Sequence, residues 1–192
     1  MALTFNGSTN AIAGLAVGGL PDGTVDTDTL ASSVSRLTNY DEWHHSTNGG
    51  ISSGENAITA GWGRHTARSV IGSAMTESSG VFTFPSTGIW RIHIHGTFRR
   101  VGGNRYFTGF TIKNTTDNGS NWNYHRESYD SMHAHSGENV YVQDNIETSF
   151  DVTDVSTHKI LFYTQTAGAD VILMGTASYD LTGCSFTRIG DT

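Results

Sequence analysis

Residues 80–98 read GVFTFPSTGIWRIHIHGTF, and this stretch decides the fold class. A short apolar run ends in a proline turn, and from Gly88 onward apolar residues occupy every second position. Such alternation is typical of a β-strand that covers a core with one face only. The predicted core-facing residues are Trp90, Ile92, Ile94 and Phe98. The predicted residues of the opposite face are Arg91, His93, His95 and Thr97.

The rest of the chain falls into two parts that differ in composition and periodicity. Residues 1–63 are rich in Gly, Ser, Thr, Asn and Asp and show little periodicity, which predicts a mostly irregular N-terminal arm. Residues 64–192 contain about nine short β-type runs separated by turn residues. Such spacing predicts one head domain that is an antiparallel all-β sandwich or jelly roll. We expect residues 1–60 to order only against a partner or another copy of the arm.

Composition excludes several function classes. Cys184 is the only cysteine, so no internal disulfide framework exists and we expect the thiol to be buried. The net charge is -7 and the only lysines are Lys113 and Lys159, which argues against nucleic acid as a partner. The apolar stretch 11–20 is short and rich in glycine, so we expect neither a signal peptide nor membrane insertion.

The head resembles the complement globular-head and tumour necrosis factor (TNF) superfamily. The residues that carry the resemblance are Phe82, Pro85, Gly88, Trp90 and Ile92. The final stretch, 175–190, is similar to the family's last two strands and the turn between them. The resemblance implies a ten-stranded jelly roll that forms a homotrimer. It also implies that Arg91, His93 and His95 lie at or near the trimer interface.

A second resemblance concerns the flanks. Residues 11–34, AIAGLAVGGLPDGTVDTDTLASSV, are similar to the leading segments of bacteriophage tail-fibre and other virion proteins. Residues 150–162 and 186–192 resemble the globular tips of such proteins. This resemblance implies a protein of the virion surface, on the tail or the capsid, made in the host cytoplasm. Residues 1–60 would then join it to other virion proteins.

Two histidine pairs are candidate metal ligands. His93 and His95, like His133 and His135, are spaced to lie on one side of a strand. Around a threefold axis, the first pair would supply enough imidazoles for a transition metal. The simpler interpretation is that the histidines form hydrogen bonds across the interface or face solvent. We therefore expect no cofactor and no resident metal, and keep His93 and His95 as the candidate ligands.

Three aromatic residues are candidates for receptor binding. Trp122, Tyr124 and Tyr129 lie in a polar stretch, residues 118–135, that has too many Gly, Asn and Ser residues for a core strand. Aromatic side chains in such loops stack on sugar rings or fill partner pockets. The alternative is that they pack over the open end of the sandwich. We expect the partner to be a host-surface glycan or protein.

No set of residues in the sequence forms a convergent catalytic group, so we expect a protein without enzymatic activity. The favoured interpretation is a bacteriophage structural protein, a trimeric tail fibre or fibre-tip component that contacts the host surface. An alternative is a capsid decoration, or cement, protein. A more distant alternative is a glycan-acting enzyme on a β-sandwich, although a fold alone supplies no site.

Overall fold

The computed structural model describes residues 4–6, 11–13, 37–64, 70–101, 106–133 and 137–192. The chain divides into two compact units, Met1–Arg36 and Leu37–Thr192. In the first unit, β1 (Thr4–Asn6) and β2 (Ala11–Ala13) form an antiparallel pair. The described segments contain no helix long and apolar enough to span a membrane.

The described part of the second unit is built from strands alone, in two sheets of seven. The strands are β3 (Tyr40–His45), β4 (Gly49–Ile51), β5 (Gly54–Ala57), β6 (Trp62–Gly63), β7 (Thr76–Ser78), β8 (Val81–Thr83), β9 (Gly88–Val101), β10 (Tyr106–Thr115), β11 (Asn123–Glu127), β12 (Asp130–Met132), β13 (Asn139–Val152), β14 (Lys159–Thr166), β15 (Val171–Leu173) and β16 (Gly183–Gly190).

The first sheet is centred on β9, which pairs with β13 along its whole length and with β16 and β15 on its other side. Strands β3 and β6 extend this sheet beyond β16, and β4 extends it beyond β15. The second sheet is centred on β10 and β14, with β11 and β12 at one side and β5, β8 and β7 at the other. Every pairing is antiparallel, and the long strands β9, β10, β13, β14 and β16 alternate between the sheets. The predicted antiparallel jelly roll is confirmed.

The core lies between the two sheets. The predicted inward residues of β9 are at most 1% exposed, so their predicted burial is confirmed. Thr97, predicted for the opposite face, is only 7% exposed, and its amide donates to Thr182 Oγ1. The second sheet adds Phe82, Phe110, Ile112, Ile160 and Phe162, all fully buried. The Phe82 ring lies 5.0–5.5 Å from the rings of Trp43, Trp62, Phe162 and Phe186. Cys184 is buried as expected, and burial raises the pKa of its thiol.

Gly88 is required where β9 begins. Its φ angle is 137°, a conformation that side chains with a Cβ rarely adopt. A Cβ at this position would lie 2.5 Å from Arg188 Nε and 2.6 Å from the Gly190 carbonyl oxygen. The glycine therefore allows the last strand to pack closely against the start of β9.

The boundary between the units differs from the prediction. It lies between Arg36 and Leu37, not between Gly63 and Arg64, because residues 40–63 supply four strands of the jelly roll. Trp43, Ile51 and Ile58 from this segment are buried in the core. Residues 37–60 are therefore part of the head and not of an irregular arm, and most of residues 1–36 lies outside the described residues.

A buried carboxylate fixes this segment to the rest of the head. Asp41 is 2% exposed and accepts hydrogen bonds from Arg64 Nη2 (2.7 Å), the Met75 amide (2.8 Å) and Trp43 Nε1 (3.1 Å). The Arg64 guanidinium also lies over the Trp43 ring, 3.9 Å from its centroid. Strand β3 is thus held by ionic, polar and aromatic contacts, although four of its six residues are charged or histidine.

Candidate functional site

The outer surface of the second sheet gathers five aromatic side chains, and we call it the aromatic face. Its residues are Phe107, Trp122, Tyr124, Tyr129 and Tyr163. Strand register explains the gathering, because residues directly opposite each other in an antiparallel sheet share a face. Lys113 is opposite both Tyr124 and Leu161, and Thr111 is opposite Tyr163. Their sequence neighbours Ile112 and Phe162 point into the core.

Lys113 is the centre of one cluster on this face. Its ammonium lies 4.1 Å from the Tyr124 ring centroid, 4.4 Å from that of Tyr163 and 2.6 Å from Glu55 Oε2. Burial lowers the pKa of Lys113, but the bond to Glu55 more than offsets this, so the pKa is raised. The cluster therefore contains one positive and one negative charge, and the Lys113 ammonium contacts both tyrosine rings.

Tyr129 forms a second cluster beside the first. Its hydroxyl lies 2.7 Å from Glu127 Oε2 and 2.9 Å from Gln165 Oε1, and its ring packs edge-on against Phe107 at 5.3 Å. Burial and the bond to Glu127 raise the pKa of Tyr129 to about 12. Tyr129 remains 46% exposed and Tyr124 63% exposed, so both rings are available to a partner.

A groove of about 410 Å³ opens at the end of this face where β7, β8 and the β10–β11 turn meet. Its walls include Val81, Trp122 and Lys159, together with the side chains of Thr76, Ser78 and Thr83. Register places Thr76, Thr83 and Lys159 in one row across the sheet, with Ser78 and Val81 in the next row. Glu77 also borders the groove, but it is opposite Phe82 in register and its Oε1 accepts the Gly80 amide at 2.6 Å.

The outer surface of the first sheet is polar, and we call it the histidine face. It carries Tyr40, Arg91, His93, His95 and Glu147. Arg91 forms an ion pair with Glu147, and His95 Nε2 lies 3.3 Å from Asp180 Oδ2. The rings of His93 and His95 stack at 5.5 Å. The predicted orientation away from the core is confirmed, whereas the trimer interface itself stays a prediction.

Within the described residues, the histidine face brings together only part of a metal-ligand set. The described residues contain no group of three or more side chains of the kinds that hold metal ions. A metal site at His93 and His95, with ligands from several copies, stays a prediction. Burial is the main cause that lowers the pKa of His93, and the nearby His95 lowers it further. His135, in the second predicted pair, lies outside the described residues.

The three predicted receptor-binding residues do lie on one face, but not on one loop. Tyr124 is part of β11, Trp122 follows the β10–β11 turn, and Tyr129 lies between β11 and β12. Sequence analysis missed Tyr163 and Phe107, although their alternation with buried residues of β14 and β10 carries that information. It also missed that Lys113 contacts the Tyr124 and Tyr163 rings and that Lys159 borders the groove.

Comparison with known proteins identifies the fold. The TNF structure of Eiger from S. frugiperda aligns with a TM-score of 0.54 and 10% identity, over 82% of this chain and 96% of that chain. Murine APRIL at pH 5.0 aligns with a TM-score of 0.53 and 11% identity, over 78% of this chain and 98% of that chain. APRIL at pH 8.5 gives a TM-score of 0.51, with the same identity and coverage. These likenesses confirm a TNF-like jelly-roll fold and, at such low identity, show nothing further.

No protein-family model matches the sequence, and no curated protein matches it significantly.

Proposed function

We propose that this chain is a structural protein of a bacteriophage virion: a homotrimeric tail fibre or fibre-tip component whose head contacts the host surface. The observation that carries the proposal is the aromatic face. Several partly exposed rings are fixed by neighbouring strands rather than by a flexible loop, so they lose little conformational freedom when a partner binds.

The virion assignment rests on the flanks. Residues 11–34 resemble the leading segments of phage fibre proteins, and they belong to the unit that precedes the head. A separate leading unit suits attachment to another virion protein, while residues 37–192 form a head with its own core.

Trimer formation is proposed through the histidine face. The TNF-like fold makes a threefold arrangement reasonable, and β9 and β13 give this face two long, fully paired strands. With the histidine face turned toward the axis, the aromatic face on the other sheet points outward. The first sheet would thus form the trimer interface, and the second would contact the host surface.

We also propose that the head is not an enzyme. The carboxylates of the aromatic face are already engaged: Glu55 by Lys113 and Glu127 by Tyr129. A glycosidase needs two carboxyl groups facing one bond. The arrangement therefore favours binding over hydrolysis.

Antibody labelling of phage particles tests the proposal. Gold-labelled antibodies raised against residues 37–192 should decorate the tail of intact virions, and purified full-length chain should sediment as a trimer at micromolar concentration. Label spread over the capsid would instead support the decoration protein. Absence of label from every particle, or a stable monomer, would contradict the proposal.

A further inference from the structure

The groove at the end of the aromatic face contains polar side chains with no partner inside the described part of the head. In that part, no side-chain hydrogen bond or ion pair engages Trp122, Lys159, Thr76, Ser78 or Thr83. Other charged groups of the outer faces do form ion pairs, such as Lys113 with Glu55 and Arg91 with Glu147. A concave surface that carries a few convergent polar side chains beside an aromatic ring is typical of a ligand site.

Lys159 gives the groove its charge. Its row across the sheet consists of Thr76, Thr83 and Thr115, none of which is charged. The nearby carboxylates are otherwise engaged, because Glu77 binds the Gly80 amide and Asp117 binds Thr115 and Asn121. Lys159 is therefore an ammonium of the groove that forms no ion pair with the described residues.

Trp122 supplies an apolar wall held in place by the turn before it. Asp117 Oδ1 accepts the Asn121 amide at 2.9 Å, and the Asn118 amide donates to the Thr157 carbonyl at 3.0 Å. A methyl group built at Gly119 would lie 3.7 Å from Trp122 Cζ2, so the indole stands close to the turn. The platform is thus formed before any ligand arrives, which reduces the entropic cost of binding.

We propose that this groove binds a saccharide residue carrying one acidic group, a carboxylate, sulfate or phosphate. The indole of Trp122 covers the apolar C–H face of the sugar ring. The Lys159 ammonium pairs with the acidic group, and the hydroxyls of Thr76, Ser78 and Thr83 bond to sugar hydroxyls. The volume of about 410 Å³ lies within the range of ~300–1,000 Å³ usual for ligand pockets. The inference names the ligand class of the host-surface contact and rests on that proposed function for its biological setting.

Two other ligand classes fit the groove less well. A neutral saccharide would leave the Lys159 ammonium without an ion pair. A nucleic-acid strand needs a series of cations along its backbone, whereas the groove offers one and the chain carries a net charge of -7. A single acidic group beside a stacking surface satisfies both the charge and the shape.

The test uses full-length protein and soluble polysaccharides in matched pairs. Polygalacturonate is compared with its neutral methyl ester, and dextran sulfate and phosphomannan with dextran and mannan. Binding is measured by calorimetry at 0.1 M and 1 M salt, since screening weakens ion pairs between exposed groups. The variants are Trp122→Ala, Trp122→Phe and Lys159→Gln, with Tyr179→Ala as an exposed aromatic control away from the groove. Thermal unfolding verifies that each variant is folded.

At least one acidic polymer should bind, and its neutral partner should bind far more weakly. Trp122→Ala should weaken binding about tenfold or more, as expected for an interface hot spot, and Trp122→Phe should retain part of the affinity. Lys159→Gln should remove the salt dependence, while Tyr179→Ala should change nothing.

Failure of all acidic polymers, equal binding of neutral partners, or affinity unchanged in Trp122→Ala would overturn the inference. Preferential binding of an oligodeoxyadenylate in the groove would also overturn it. The proposed function fails separately: if virions carry no label, saccharide binding by the groove can still stand. If labelled virions adsorb equally well with Trp122→Ala, the groove assignment fails and the virion role remains.

Discussion

Removal of residues 1–63 should unfold the head, whereas removal of residues 1–36 should leave it intact. The two truncations differ only by residues 37–63, which contain the four strands β3 to β6. The longer deletion leaves Phe82 without its ring contacts to Trp43 and Trp62, at 5.4 and 5.5 Å. It also leaves Arg64 without Asp41.

The size of the effect follows from burial. Trp43, Ile51 and Ile58 are each 7% exposed, and burying a large apolar side chain contributes about 1.5–3 kcal/mol. The three together contribute about 5–9 kcal/mol, before any loss from newly exposed core residues. A domain of this kind has a free energy of unfolding of only about 5–15 kcal/mol. The longer deletion therefore removes an amount comparable to the whole stability.

Circular dichroism and urea unfolding of the two truncated proteins provide the measurement. The 37–192 protein should show β-type ellipticity and a cooperative transition close to that of the full chain. The 64–192 protein should lack a cooperative transition or aggregate, because the Phe82 cluster is exposed. A cooperative transition for 64–192 with an unchanged midpoint would refute the reasoning, since β3 to β6 would then contribute nothing to the core.

Three further predictions concern single positions. Gly88→Ala should lower the melting temperature by several degrees, because its positive φ would strain an alanine by about 1–3 kcal/mol. Gly190→Ala should leave the melting temperature unchanged, since a Cβ there meets no atom within 4 Å. Equal melting temperatures for the two variants would contradict this. Burial lowers the pKa of His93 in the folded chain, so its contribution to the free energy of unfolding is complete above the ordinary value of 6.5 and is lost as pH falls from there toward the folded pKa. Urea unfolding between pH 5 and 8 should show this loss, and less of it in His93→Gln with His95→Gln. In the proposed trimer, protonation would also bring like charges together at the histidine face, so sedimentation should show the trimer weakening on acidification; equal weakening in the variant would remove these histidines from the interface. Hydrogen bonds within its turn lower the pKa of Asp117 to about 2. The stability that the ionised Asp117 gives to the turn is therefore complete above the ordinary value of 3.8 and is lost as pH falls through about 2. An NMR titration of Asp117 with a midpoint near 3.8 would contradict the turn geometry.

The β-strands with strict alternation were predictable from sequence, and those with buried polar residues were not. From Gly88 onward, β9 alternates between core and outer positions as simple periodicity requires. Strand β3, YDEWHH, has buried Asp41, His44 and His45. The Asp41 carboxylate is satisfied by the distant partners Arg64 and Met75, and the sequence pattern carries no information about these contacts. The domain boundary was misplaced for this reason.

The candidate site was predictable in part for a related reason. Trp122, Tyr124 and Tyr129 stood out because they are aromatic residues in a polar stretch. Lys159 and Thr83 are unremarkable in sequence, and they meet only because β8 pairs with β14. Contacts that depend on strand register over long sequence separation cannot be derived from local composition. The groove therefore required the structure, whereas the aromatic residues near it did not.

The two outer faces can serve different purposes because alternation separates them from the core and from each other. In β9 and β13, one set of residues fills the core and most of the other set is at least partly exposed, so these outer residues can change with little effect on packing, whereas outer residues of β10 such as Thr111 are themselves buried. Packed sheets are about 10 Å apart, which places the side chains of the histidine face and the aromatic face well beyond contact. Substitutions at such separations usually act independently. A jelly roll of this kind can therefore keep an assembly surface on the first sheet while the groove on the second sheet adapts to a different ligand.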